Sequence, residues 1–208
     1  MPTLYYSPLS RASRVISQLL MIGKLDQVKV VTVDIIRGDG SGRKDPNNPH
    51  PEGKVPFLIT DEGETIRESS AIMMYLDEFF GSPLGIKQGE KGRGAFLSWM
   101  AYSGGVLEPA MVTHFAEINH PMVKSTFRSM AEVGETLNAT LSKQPYLVGD
   151  KLTIADMILA SAFLWAPNLA PDFEAIKAWL HRVTTAQAGL ELEAYEAKAL
   201  ESLAERAG

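Results

Sequence analysis

Glu68 and Ser69 are the residues from which chemistry can first be read, because they fall where a short strand-like run gives way to a helical pattern. Backbone N–H groups left unpaired at a helix N-terminus attract a carboxylate, the Ser69 hydroxyl can donate or accept, and the Glu68 carboxylate can hold an ammonium. Together they make a grip for a zwitterion. Upstream, Val55-Pro56 precedes the apolar run Phe57-Leu58-Ile59. Only X-Pro bonds reach cis at low cost, and a proline ahead of a strand is tolerated where its missing donor faces an open edge. Such an edge leaves the Val55 backbone for an extended peptide ligand. The chain has no cysteine, which rules out disulfides, thiolate metal sites and a cysteine nucleophile.

The elements that must position these groups follow from local pattern. Asp61-Glu62-Gly63 supplies a turn between Phe57-Leu58-Ile59 and Thr65-Ile66, so the two runs form a hairpin, and Ser69 to Leu76 opens a helix. Thr3 to Ser7 reads as a first strand and Pro8-Leu9-Ser10 as a turn. Arg14 to Gly23 then carries Val15, Leu19, Leu20 and Ile22 on one helical face, and Val28 to Ile36 is β-branched enough for a second strand, parallel to the first through a right-handed crossover. The order is βαβ followed by ββα. Between the two parts, Arg37 to Glu52 is rich in Gly, Asp, Asn and Pro and is expected to lie mostly at the surface as the least ordered segment of this half. Its glycines, Gly38, Gly40 and Gly42, lack the Lys-Ser/Thr and the strand-to-helix setting of a phosphate loop.

Glycines between Gly81 and Gly94 mark a linker, after which long helical patterns take over. One runs from Phe96 to Met111, with Gly104-Gly105 as a candidate break. A second covers Pro121 to Lys143, with Phe127, Met130, Val133, Leu137 and Leu141 on one face. Thr153 to Ala166 and Pro171 to about Ala186 are further helices, followed by an alanine- and glutamate-rich tail. Thr153 can cap its helix, and Asp156 can reach back to the Thr153 N–H.

With 208 residues, net charge −5, 45% hydrophobic and 22% charged residues, the composition is that of an ordinary globular protein of one or two domains. An acidic balance argues against nucleic acid as the main partner. The longest apolar run, Met157 to Ala166, is about half of the roughly 20 residues a spanning helix needs, so no membrane partner is expected. No apolar leader opens the chain, and a cytoplasmic location is the expectation. His114, His120 and His181 show no metal-ligand spacing, and no metal is expected.

The pattern Gly53-Lys54-Val55-Pro56, a hairpin, then Glu68-Ser69-Ser70-Ala71-Ile72 and Tyr75-Leu76 resembles the glutathione-binding half of glutathione transferases. Gly149-Asp150 and Leu152-Thr153-Ile154-Ala155-Asp156 resemble the capping motif of that family's helical domain, so the likeness spans both halves up to about Ala186. It implies a thioredoxin-like α/β domain over residues 1–80, a linker over 81–94 and an all-helical domain over 95–208. It also implies glutathione as co-substrate and a homodimer. By the same likeness Lys54, Val55 and Pro56 meet the peptide edge of glutathione, Glu68 and Ser69 its γ-glutamyl end, and His50 or Lys44 its glycine carboxylate. His50 stands where the family's commoner pattern has Asn.

A glutathione enzyme must ionise a thiol whose free pKa is around 8.5. Ser10, in Ser7-Pro8-Leu9-Ser10-Arg11-Ala12-Ser13-Arg14, matches the catalytic serine of delta- and theta-type members, with the dipole of the following helix in support. Ser13, as a cap of that helix, and Tyr6, resembling the tyrosine of other classes, stay open as alternatives. Tyr5 and Tyr6 must face opposite sides of their strand. Arg67 is expected as a surface charge at a strand end. A hydrophobic electrophile would meet Tyr102 and His114 of the helical half. The alternative is a non-catalytic glutathione-transferase-like module that binds a partner, since fold does not fix function.

Overall fold

The structure, a computed structural model, describes residues 1–187 and 189–206. It divides into two compact units: Met1–Phe80 together with the described residues from Gln187 onward, and Gly81–Ala186.

In the first unit, β1 (Thr3–Tyr6) runs parallel to β2 (Lys29–Thr32) and antiparallel to β3 (Phe57–Ile59). β3 pairs antiparallel with β4 (Thr65–Arg67), so the order across the sheet is β2-β1-β3-β4. This mixed four-stranded sheet, with α1 (Ser13–Met21) and α2 (Ser69–Phe79), is the thioredoxin-like arrangement expected from the sequence. Alternation along β1 buries Leu4 and Tyr6 completely and leaves Thr3 and Tyr5 half-buried. Val15, Ile16, Leu19, Leu58, Ile72, Met73 and Leu76 complete the core, and the Gln18 Nε2 donates across it to the Met73 carbonyl at 2.9 Å. Gly63, at φ +88°, makes the hairpin turn, where Thr60 N donates to Glu64 O at 2.8 Å.

Two expectations are revised here. The Val55-Pro56 bond is cis, but β3 lies inside the sheet; Pro56 is tolerated because the ladder begins only at Phe57, not because it faces an open edge. β2 ends at Thr32 rather than Ile36, since the Asp34 N–H turns aside to the Asp45 Oδ2 at 3.0 Å. The segment from Arg37 to Glu52 lies mostly at the surface, as expected, but Asp45, Asn48 and His50 are buried within it. The Asp45 Oδ1 accepts from Asn47 N at 2.8 Å, Asn48 Oδ1 accepts from His50 N at 3.0 Å, and Asn48 Nδ2 donates to Lys54 O at 3.2 Å. Short polar side chains can satisfy loop backbone in this way, which composition alone does not reveal.

Burial pushes the Asp45 carboxyl up, but the Asn47 and Asp34 N–H groups outweigh it and hold the group below the ordinary carboxylate range. A lowered folded pKa gives stability that is present above the unfolded value, about 3.9, and lost as pH falls through the folded one. Exchange protection of the Asp34 and Asn47 amides is therefore expected to be level at neutral pH and to fall in acid, and Asp45→Asn to abolish that acid limb. A native acid limb surviving in Asp45→Asn counts against this.

The last helix, α9 (Leu192–Glu205), belongs to the first unit, whereas the sequence placed it with the helical half. Its buried positions, Glu196 and Ala199, continue a face with Leu192, Tyr195 and Leu203, and the Tyr195 ring meets Tyr6 at 5.8 Å. At its far end the Arg206 guanidinium donates to the Thr32 carbonyl at 3.0 Å.

The second unit contains α3 (Arg93–Tyr102), α4 (Glu108–Phe115), α5 (Pro121–Thr126), α6 (Met130–Leu141), α7 (Ile154–Trp165) and α8 (Glu174–Gln187). The suspected break at Gly104-Gly105 is a π turn, Ser103–Leu107, that carries α3 into α4 without a gap. The single helix expected over Pro121 to Lys143 is two. Phe127 is extended at φ −103° and ψ 150°, and Ser129 restarts the chain with a reciprocal capping box to Glu132. The Thr153–Asp156 box is present as expected. Among the described residues, no helix is long and apolar enough to cross a membrane.

Candidate functional site

The hairpin, the buried loop and the start of α2 converge on a cleft of about 470 Å³ lined by His50, Glu52, Lys54, Thr65, Ile66, Arg67 and Glu68. It presents cations and carboxylates together, as a zwitterionic ligand requires. Glu68 stands at the N-cap of α2 with φ +71°, a conformation that costs a side-chain-bearing residue about 1–3 kcal/mol and collects at functional sites. Ser69 is buried as the first residue of α2, where helix N–H groups lack partners within the helix. Lys54 is exposed, Val55 is half-buried and Pro56 is buried. His50 is held by its own loop: Nδ1 accepts from Glu52 N at 3.0 Å, and its ring meets Phe57 edge-on at 5.3 Å. Lys44 donates to Pro51 O at 3.3 Å and lies against Gly53, outside the cleft lining. Arg67 is exposed as expected, yet it lines the cleft. A cavity of about 530 Å³ opens elsewhere in the unit, beside Leu19, Leu20, Leu25, Val28, Val30 and Tyr195; its walls are mostly apolar and gather few polar groups. The charged cleft is the better candidate.

The turn from β1 into α1 holds the three hydroxyls singled out by sequence. Leu9, at φ +54°, is in the left-handed region, and its N–H donates to Glu196 Oε1 at 3.0 Å. The Tyr6 hydroxyl donates to the same oxygen at 3.1 Å, and so does the Ser13 hydroxyl. Burial, with Glu196 beside it, raises the Tyr6 phenol far above its ordinary value of 10.0. Tyr6 is thus a poor source of a phenolate. Ser13 does not cap α1 as expected. It is the first helical residue, after Ala12, and its Oγ also accepts from Ser10 N at 3.3 Å. Ser10 is the hydroxyl without a bond to Glu196: its Oγ donates to Ser7 O at 2.6 Å and accepts from Ala12 N at 3.1 Å. Arg37 braces the same turn, donating to Pro8 O at 3.1 Å and to Ser7 Oγ at 3.3 Å.

In the second unit, Tyr102 and His114 are not brought together. Tyr102 packs edge-on against Trp99 at 5.1 Å, and burial raises its phenol above the ordinary value. His114 is exposed on α4 beside Phe115, whose ring meets Trp165 at 5.7 Å. Sequence reasoning missed Glu196, Arg37, Asp45 and Asn48. For Glu196 a signal existed: a carboxylate interrupts the stripe of Leu192, Tyr195, Ala199 and Leu203 at helical spacing.

Two adjoining family models match the chain: glutathione S-transferase, N-terminal domain, over residues 3–84, and glutathione S-transferase, C-terminal domain, over residues 95–186. Glutathione S-transferase F10 of Arabidopsis thaliana is 27% identical, over 91% of this chain and 95% of its own. Elongation factor 1-gamma-B of Xenopus laevis is 29% identical over 59% of this chain, which corresponds to 29% of its own length. A solved sphingomonad glutathione S-transferase complexed with glutathione superposes with a TM-score of 0.66 over 91% of this chain and 99% of that one, at 24% identity, a likeness of fold.

Proposed function

Because the chain belongs to the glutathione S-transferase superfamily, we propose that it is a serine-type glutathione transferase that ionises the thiol of bound glutathione for attack on a hydrophobic electrophile. The observation that carries this reading is the mixed-charge cleft at the start of α2, where Glu68 can hold the γ-glutamyl ammonium and the Ser69 hydroxyl and helix N-terminus its carboxylate. Val55 and Pro56 border the cysteinyl backbone, while Lys54, His50 and Arg67 supply the donors for the glycine carboxylate. Ser10 donates to the thiolate. To do so it exchanges the Ser7 carbonyl for a charged acceptor, a gain of about 1 kcal/mol for one hydrogen bond. The thiolate attacks the electrophilic carbon, the sulfur–carbon bond forms and the leaving group departs with its electron pair; an addition reaction instead ends by protonation. We assign the electrophile contact to His114 rather than to Tyr102, whose ring is tied up against Trp99. A homodimer in the cytoplasm is part of the same proposal.

Retention on immobilised glutathione, with turnover of a reactive aryl halide, tests it. Both are expected; the absence of both sinks the enzyme reading. That outcome favours the second reading, a partner-binding module, which the partial likeness to elongation factor 1-gamma and the exposed Phe115–Trp165 pair support.

A further inference from the structure

Glu196 is a carboxylate, 8% exposed, that no part of the chemistry above uses. Its Oε1 accepts three hydrogen bonds from one short stretch: from the Tyr6 hydroxyl, the Leu9 N–H and the Ser13 hydroxyl. Hydrogen bonds to a charged group are the strong ones, so three on one oxygen outweigh any single contact within the turn. The Leu9 bond falls on a residue in the left-handed region, which persists in a non-glycine only where its surroundings hold it. The charged and titratable groups acting on the Tyr6 hydroxyl, besides Glu196, are Tyr195 on α9 and Arg37; Arg11 and Arg14 stand in the same turn and at the start of α1, and Lys198 lies two residues on along α9.

We propose that Glu196 is the positioning residue of the β1–α1 turn: it holds Leu9 in its strained conformation, accepts hydrogen bonds from the hydroxyls of Tyr6 and Ser13, and so leaves Ser10 as the hydroxyl that serves the thiol. The last clause rests on the transferase reading; the clamp does not. α9 is then a component of the site rather than a tail beside it. A carboxylate here also opposes a second negative charge, so the native charge raises the pH at which the bound thiol ionises.

The experiment uses the full chain in three variants. In protein without glutathione, Glu196→Ala is expected to speed hydrogen exchange at the Leu9 amide by at least about tenfold, while Glu196→Gln, whose amide oxygen can accept the same donors, stays within about threefold of native. With glutathione and an aryl halide, Glu196→Ala is expected to lower kcat by about tenfold or more with little change in KM. Glu196→Gln is expected to keep kcat and to shift the thiolate absorbance midpoint down by about half a pH unit. Arg206→Ala cuts the other tie of α9, to Thr32, and separates helix docking from turn positioning. It is expected to lower the melting temperature while leaving Leu9 exchange and kcat as they were. Native-like Leu9 exchange in Glu196→Ala, or loss of kcat in Arg206→Ala equal to that in Glu196→Ala, overturns the proposal. Raised Leu9 exchange in a protein that neither binds nor turns over glutathione upholds the clamp and removes only the transferase reading.

Discussion

Asp156→Ala is expected to lower the stability of the helical unit by about 3–5 kcal/mol, the cost of stripping the acceptor from a buried, fully bonded carboxylate. The side chain is completely buried, and four donors converge on it: Thr153 N at 2.9 Å, Thr153 Oγ1 at 2.8 Å, Leu147 N at 2.8 Å and Trp179 Nε1 at 2.9 Å. Burial pushes its carboxyl up, and these same donors pull against that. Alanine leaves the Trp179 indole and the Leu147 amide without an acceptor in the core, which is worse than never having buried a polar group there. For a chain of this size each kcal/mol is worth about 2–4 °C, so the melting temperature is expected to fall by roughly 10 °C. Asp156→Asn keeps an oxygen for Trp179 and Leu147 but turns an NH₂ toward the Thr153 N–H, and should fall between. Trp179 near-ultraviolet dichroism and thermal melts read both, and an Asp156→Ala protein melting within about 2 °C of native shows the network to be dispensable.

The second large effect is catalytic. Ser10→Ala is expected to raise the pH midpoint for ionisation of bound glutathione by about half a unit to one unit, toward the free-thiol value near 8.5. At neutral pH kcat then falls by roughly threefold to tenfold, the equivalent of exchanging a carbonyl for a charged acceptor. The pH profile carries the argument, because a variant that only lacks thiolate stabilisation recovers its rate in alkali, whereas one with a displaced turn does not. An unmoved midpoint would remove Ser10 from the mechanism and reopen Ser13 and Tyr6. Those two begin at a disadvantage, since both donate to Glu196.

What could be read from the residues was the local part. The hairpin around Gly63, the helix opening at Glu68-Ser69 and the Thr153–Asp156 box each lie within a few residues, and their chemistry is complete at that range. The break between α5 and α6 was also local, yet the apolar spacing through Phe127 and Met130 ran straight across it. Ser129-x-x-Glu132 was the competing signal, and in the structure capping decided the boundary over periodicity. The internal order of the loop holding His50 was not legible, because it comes from Asp45 and Asn48 side chains bonding backbone groups, and a loop-like composition is compatible with that or with none of it. Glu196 could be noticed as a break in an apolar stripe, but no local rule gives its partners, which lie far off in sequence.

That distance has a consequence for how the molecule is made. The bonds from Tyr6 and Leu9 to Glu196 join residues 190 and 187 apart. Closing so long a loop is entropically unfavourable until intervening structure has brought its ends together, so such contacts come late in folding. During synthesis the sheet, α1 and α2 all emerge before α9 exists, at roughly 5–20 residues per second. The nascent thioredoxin-like unit therefore exists for a time with its strained turn unsupported, and acquires a finished site only when α9 docks.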